Sequence, residues 1–115
     1  MKFTIQGELT DLNSYIKAER SNRFFGASIK KKNTDEVIKQ LSRKSKVEKY
    51  PVSINITWYV KDYRKDPDNI AFAKKFLLDG MVKAGILEND TMKHIKSFND
   101  TFIVNKNTKI EIEVV

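Results

Sequence analysis

The sequence predicts one α+β domain over residues 1–115, with elements in the order β-α-α-β-α-β-β. Three observations predict it. Val52, Ile54, Ile56, Trp58 and Val60 alternate with Ser53, Asn55, Thr57 and Tyr59, the period of a strand with one buried face. Ile70, Ala73, Leu77, Met81 and Ala84 recur at threes and fours, the period of an amphipathic helix. A chain of 115 residues with 40% hydrophobic and 10% aromatic content supports one modest core but not two.

Taken in order, Phe3 and Ile5 alternate with Thr4 and Gln6, so a first strand is expected over residues 2–8. Asp11 or Asn13 can cap a short helix carrying Leu12, Tyr15, Ile16 and Glu19, which Ser21 and Asn22 interrupt. Residues 20–32 follow, with Arg20, Arg23, Lys30, Lys31 and Lys32 around Phe24, Phe25 and Gly26. Such a segment suits phosphate contacts with aromatic stacking on bases, or it is a solvated loop whose phenylalanines drop into the core. Thr34 is expected to cap a second helix through Val37 and Leu41, with acids in its first turn and Arg43, Lys44 and Lys46 in its last, as the helix dipole favours. Pro51 introduces the strand at 52–60. A continuous helix over 69–84 comes next, and Gly85 stops it. Residues 92–104 and Ile110, Ile112 and Val114 read as a closing pair of strands, joined by a turn at 105–108.

Composition removes several chemistries. There is no cysteine, hence no disulfide, thiol catalysis or cysteine zinc site, and a single histidine excludes a multi-histidine metal centre. No apolar run spans a bilayer and the N-terminus lacks a signal-peptide core, so a soluble cytoplasmic protein without a membrane partner is expected. The net charge is +7, and residues 1–50 hold 12 Lys and Arg against 6 Asp and Glu, which is +6 of it. A surface of this kind attracts polyanions such as nucleic acid, or serves only to keep the chain dissolved.

Acids that chemistry could use are concentrated between Lys65 and Asp90. Asp66 and Asp68 flank Pro67 at a strand-to-helix junction, where side chains are exposed yet held by rigid neighbours. Asp90 follows the Gly85 turn. Two or three aspartates suffice for Mg²⁺, a hard cation that prefers carboxylate oxygen and keeps several waters. Acids before a helix are equally a capping signal. On a regular helix Lys75 lies seven residues after Asp68 and projects on the same side, with Asp79 one turn beyond it and able to orient it; Lys74 points about 120° away.

Arg64, Lys65, Asp66, Pro67, Asp68 and Asn69, then a helical lysine, then Ala84, Gly85 and Asp90 resemble the RusA family of Holliday-junction resolvases, over the C-terminal two-thirds of the chain. Leu12, Asn13, Tyr15 and Ile16, with Asn22 to Phe25, look like the N-terminal region of phage-type members. The resemblance implies a mixed sheet packed by helices and a Mg²⁺-dependent endodeoxyribonuclease, with Mn²⁺ as a substitute. It further implies a homodimer that cuts four-way or branched DNA symmetrically in recombination and repair, in a bacterial or phage-infected cell. Asp66, Asp68 and Asp90 match the metal-binding acids. The essential lysine is carried to Lys75 by counting back from Gly85, since the count from the first motif falls on Phe72; Lys74 is the alternative. Asn69 and Asp79 take supporting roles, and Arg20, Arg23, Phe24, Phe25, Lys30, Lys31, Lys32, Arg64 and Lys65 are candidates for DNA contact. Asn89 stands where the family archetype has a further aspartate.

Two rival readings are a branched-DNA-binding module without cleavage and a Mg²⁺-dependent phosphodiesterase on another nucleic acid or nucleotide. The intact acids argue against the first, and the absence of a Gly-rich phosphate loop argues against the second.

Overall fold

The central strand of the sheet is the one whose alternation is strictest. In the computed structural model, which describes residues 1–41 and 45–115, the elements are β1 (Lys2–Gln6), α1 (Leu12–Ser21), α2 (Arg23–Leu41), β2 (Val52–Val60), α3 (Pro67–Ala71), α4 (Lys74–Lys83), β3 (Ile95–Val104) and β4 (Lys109–Val114). They form an α+β fold around a mixed four-stranded sheet of order β1-β4-β2-β3. β2 runs parallel to β3 and antiparallel to β4, and β1 closes the other side against β4. Arg43 and Lys44 lie outside the described residues.

One face of this sheet carries Phe3, Ile5, Ile54, Ile56, Trp58, Ile110, Ile112 and Val114, all buried beneath helices that contribute Val37, Leu41, Phe76, Leu77 and Met81. Each such side chain taken fully out of water contributes about 1.5–3 kcal/mol. The reverse face is polar: Ser53, Asn55 and Thr57 stand beside Ser97, Asn99 and Thr101 in register, with Ser53 and Ser97 hydroxyls 2.6 Å apart.

The two last strands are not neighbours, contrary to the pairing expected from the sequence. β2 lies between them, and residues 105–108 cross its end, where Asn105 N–H donates to Val60 O at 2.8 Å. Alternation specifies the buried face of a strand and is silent about its partner, which explains the error.

Asp11 caps α1, accepting from Ser14 N–H at 2.8 Å. Asn22 is a one-residue hinge: its N–H donates to Ala18 O to close α1, and its Oδ1 accepts from Phe24 N–H to open α2. The segment 20–32 is therefore helical from Arg23 onward rather than a loop. The second helix starts eleven residues before Thr34, which is buried in its interior with no partner for its hydroxyl. The Thr34, Asp35 and Glu36 pattern imitates a helix start, but a cap acts only where the chain stops being helical, and Gly26 does not break α2 because it is packed against Glu19 of α1. α2 and α4 cross closely at Gly80: a Cβ there would lie 2.4 Å from Val37 Cγ1.

The expected continuous helix over 69–84 is two. Between α3 and α4, Ala73, Lys75 and Phe76 N–H donate three residues back, to Ile70, Phe72 and Ala73, at 3.0–3.2 Å. Each such step advances about 120° instead of about 100°, which rotates α4 relative to the register a regular helix would have. Gly85 ends α4 as expected, with φ +80°. Among the described residues no helix is long and apolar enough to cross a membrane.

Candidate metal and nucleic-acid site

Asp66 sits in extended geometry (φ −75°, ψ 153°), as a residue before proline must, and its carbonyl accepts the N–H of Ile70. It occupies the N-cap position of α3, yet its side chain makes no capping hydrogen bond. Asp68 follows in the first turn, and both carboxylates are exposed. Capping is thus achieved by backbone and Pro67 alone, and the two acids remain available for another partner. The frame beneath them is rigid: Asn69 is buried, and its Oδ1 accepts from Asn13 N–H at 2.9 Å, fastening α3 to the start of α1. Asn69 is thus committed to holding α3 against α1.

Lys65, a candidate for DNA contact, is instead committed within the chain. Its Nζ lies 2.8 Å from Asp11 Oδ2 and 4.0 Å from Glu8 Oε2. Burial raises the Asp11 carboxyl, but hydrogen bonds from Lys65 and Ser14, with the lysine's charge, outweigh it and hold the group below the ordinary carboxylate value. The same hydrogen bond to Asp11 holds Lys65 above the ordinary lysine value despite partial burial. Arg64 remains exposed and faces Asp62 at 3.7 Å.

Asp90 is elsewhere. Ile86 and Leu87 turn into the core after Gly85, Glu88 N–H donates to Tyr50 Oη at 2.8 Å, and Val52 N–H donates to His94 O. These contacts tie residues 86–94 to the Tyr50–Val52 end of β2. Ile70 and Ala73 line a cleft with Trp58, Val60 and Lys65 at the opposite end. The intervening length of β2 spans about 20 Å at about 3.3 Å per residue. Asp66 and Asp68 are together and Asp90 is not with them; among the described residues no group of three or more acids or histidines gathers as a metal-ligand set within one chain. The Asp66 and Asp68 pair fits a hard cation by donor type and by freedom from other bonds.

The two candidate lysines have different partners. Lys75 is largely exposed and its Nζ lies 3.2 Å from Asp79, the orienting pair expected from their spacing. Lys74 is mostly buried. Its Nζ donates to Asp100 Oδ2 at 2.6 Å and lies 4.4 Å from the Phe98 ring centroid, while Trp58 Nε1–H donates to Asp100 Oδ1 at 2.9 Å. The sequence reading missed Asp100. Its signal was a charge at a strand position sharing a face with Phe98 and Phe102, where only a paired acid is tolerated.

Arg20, Arg23, Phe24 and Phe25 are all exposed at the tip where α1 gives way to α2. Phe24 and Phe25 are 66% and 55% exposed, so they do not enter the core, and the Arg23 guanidinium stands 5.1 Å from the Phe24 ring. The tip is about 10 Å along α1 from the contact between Asn13 and Asn69. Lys30, Lys31 and Lys32 are exposed further along α2, with Lys31 paired to Asp35 at 2.7 Å. No protein-family model matches this chain, and no curated protein matches it either.

Proposed function

We propose that the chain is a Mg²⁺-dependent endodeoxyribonuclease that acts on four-way or branched DNA as a homodimer, the activity implied by its resemblance to RusA resolvases. The observation that carries this reading is the state of Asp66: a carboxylate at the N-cap position of α3, beside Asp68, on a frame fastened by buried Asn69, and not used for capping. Evenly solvated surface acids would need no such frame.

Asp66 and Asp68 of one copy, with Asp90 of the other, would hold the ion. When bound, such an ion supplies charge stabilisation on a phosphodiester oxygen and a more acidic water. Lys75, steered by Asp79, offsets charge that develops on the phosphate. Arg20, Arg23 and the exposed lysines of α2 supply phosphate contacts, and Phe24 and Phe25 offer stacking surface to unpaired bases at a branch. Recognition by backbone contacts and branch shape requires no sequence-reading groove element. Two symmetric active sites suit two opposed nicks.

A labelled synthetic four-way junction, incubated with Mg²⁺ and either wild type or Asp68→Asn, tests the reading. Paired nicks by wild type, with retained binding and no cutting by the variant, are the expected result. Equal cutting by both would remove the site assignment. Mixing Asp68→Asn with Asp90→Asn chains tests the shared site: the heterodimer keeps one complete set of acids, so single nicks should return where neither variant alone cuts.

A further inference from the structure

Helix α1 has no buried residue of its own, yet it grips the segment that follows Asp68 at two points. Asn13 N–H donates to Asn69 Oδ1 at 2.9 Å, and the Tyr15 ring lies 5.3 Å from the Phe72 ring and 6.2 Å from that of Phe76, which stands edge-on to Phe72 at 5.6 Å. Phe76 belongs to the core, whereas Tyr15 and Phe72 are half-buried at its margin. The far end of Tyr15 is held as well: its hydroxyl donates to Glu19 Oε1 at 2.9 Å. Glu19 is itself confined against α2, because a Cβ on Gly26 would lie 2.4 Å from Glu19 Cγ.

Phe72 is the residue through which α3 hands over to α4. Its N–H donates to Asp68 O at 3.2 Å, and its O accepts from Lys75 N–H at 3.1 Å, a three-residue step in place of the four of an α-helix. One backbone unit thus links the residue that bears an acid to the residue that bears the lysine. Rotation at this step swings Lys75 relative to Asp68. Hydrogen bonds of the three-residue kind have poorer geometry than those of regular helix, so the angle at the step depends on what the Phe72 ring rests against.

We infer that Tyr15 is a positioning residue: by packing against Phe72 it fixes the step between α3 and α4, and with it the place of the Lys75 ammonium relative to the Asp68 carboxylate. Tyr15 acts through Phe72 and takes no part in the chemistry itself. A flat ring is needed there because aromatic pairs prefer particular tilts. The interplanar angles of 37°, 67° and 86° interlock the three rings in one arrangement, which a branched aliphatic chain would fill without fixing. The consequence for cleavage rests on the reading of Asp66, Asp68 and Lys75 as a nuclease site; the control of the step does not.

Tyr15→Leu and Tyr15→Phe test the inference through two readouts. Amide hydrogen exchange reads the step directly: in Tyr15→Leu the Phe72 and Lys75 amides should exchange about 10-fold faster than in the wild type, while those of Leu77 and Met81 further along α4 keep their rates. Tyr15→Phe keeps the ring and should leave all four unchanged. On the labelled junction with Mg²⁺, Tyr15→Leu should cut up to about 10²-fold more slowly at unchanged junction affinity, the scale for a catalytic group displaced by about 1 Å. Tyr15→Phe should cut close to the wild-type rate. Unchanged exchange at Phe72 and Lys75 in Tyr15→Leu would overturn the inference, as would faster exchange there with unaltered cutting. So would a loss of cutting matched by an equal loss of affinity, which makes Tyr15 a DNA contact, or faster exchange throughout the chain, which makes it a general stabiliser. A wild type that never cuts refutes the nuclease reading alone, and exchange at Phe72 and Lys75 still decides whether Tyr15 holds the step.

Discussion

Lys74 Nζ donates to Asp100 Oδ2 at 2.6 Å, joining α4 to the edge strand of the sheet. The same carboxylate accepts from the Trp58 indole, so one acid satisfies two donors from two other elements. Asp100→Ala should lower stability by about 1–3 kcal/mol, because an ammonium and an indole N–H are left partly buried without an acceptor. Asp100→Asn retains an acceptor for Trp58 and should cost less. Urea unfolding of the two variants with unchanged m-values tests the order.

Lys74 is committed to Asp100, so the proposed nuclease activity assigns the chemical role to the more exposed Lys75. Lys75→Ala should slow junction cleavage about 10²-fold, in the range for loss of one charge-stabilising or proton-transferring group. Its melting temperature should stay near that of the wild type, since Lys75 is exposed. Lys74→Ala should instead lower the melting temperature. A Lys74 variant that melts normally and fails to cut would reverse the assignment.

The bond between Asp11 and Lys65 predicts a pH window. The Asp11 carboxyl is held below its ordinary value, so its contribution is fully present above about pH 3.9, the unfolded value, and is lost as pH falls through the lower folded value. Lys65 is held above its ordinary value, so its contribution is present below about pH 10.4 and is lost as pH rises through the higher folded value. Asp11→Asn keeps a capping oxygen and removes the charge. It should destabilise the fold by about 1 kcal/mol or less at pH 7, given the exposure of Lys65, and the difference should vanish in strong acid. A difference that persists in acid below the folded value would show that the charge is not its source.

Gly80→Ala should destabilise by about 1–3 kcal/mol through collision with Val37, which is fully buried. In the background of Val37→Ala the same change should be far milder. A double-mutant cycle with coupling below about 0.5 kcal/mol would place the strain elsewhere.

The sequence alone determined much of this protein. The alternation at Val52–Val60 specified a central strand and its buried face, the choice of Asp11 or Asn13 and the glycine at 85 marked two helix ends, and the spacing of Lys75 and Asp79 specified their ion pair. These are local properties, set by side-chain periodicity and by backbone preferences within a few residues. Tertiary structure decided what depends on neighbours distant in sequence. β2 between β3 and β4, the commitment of Lys65 to Asp11, the hidden acid Asp100 and the helical state of residues 23–33 all follow from packing between elements. The separation of Asp90 from Asp66 and Asp68 belongs with these. Acids at the two ends of a helical stretch look close in sequence, yet a helix is a rod, and about 1.5 Å per residue keeps its ends apart.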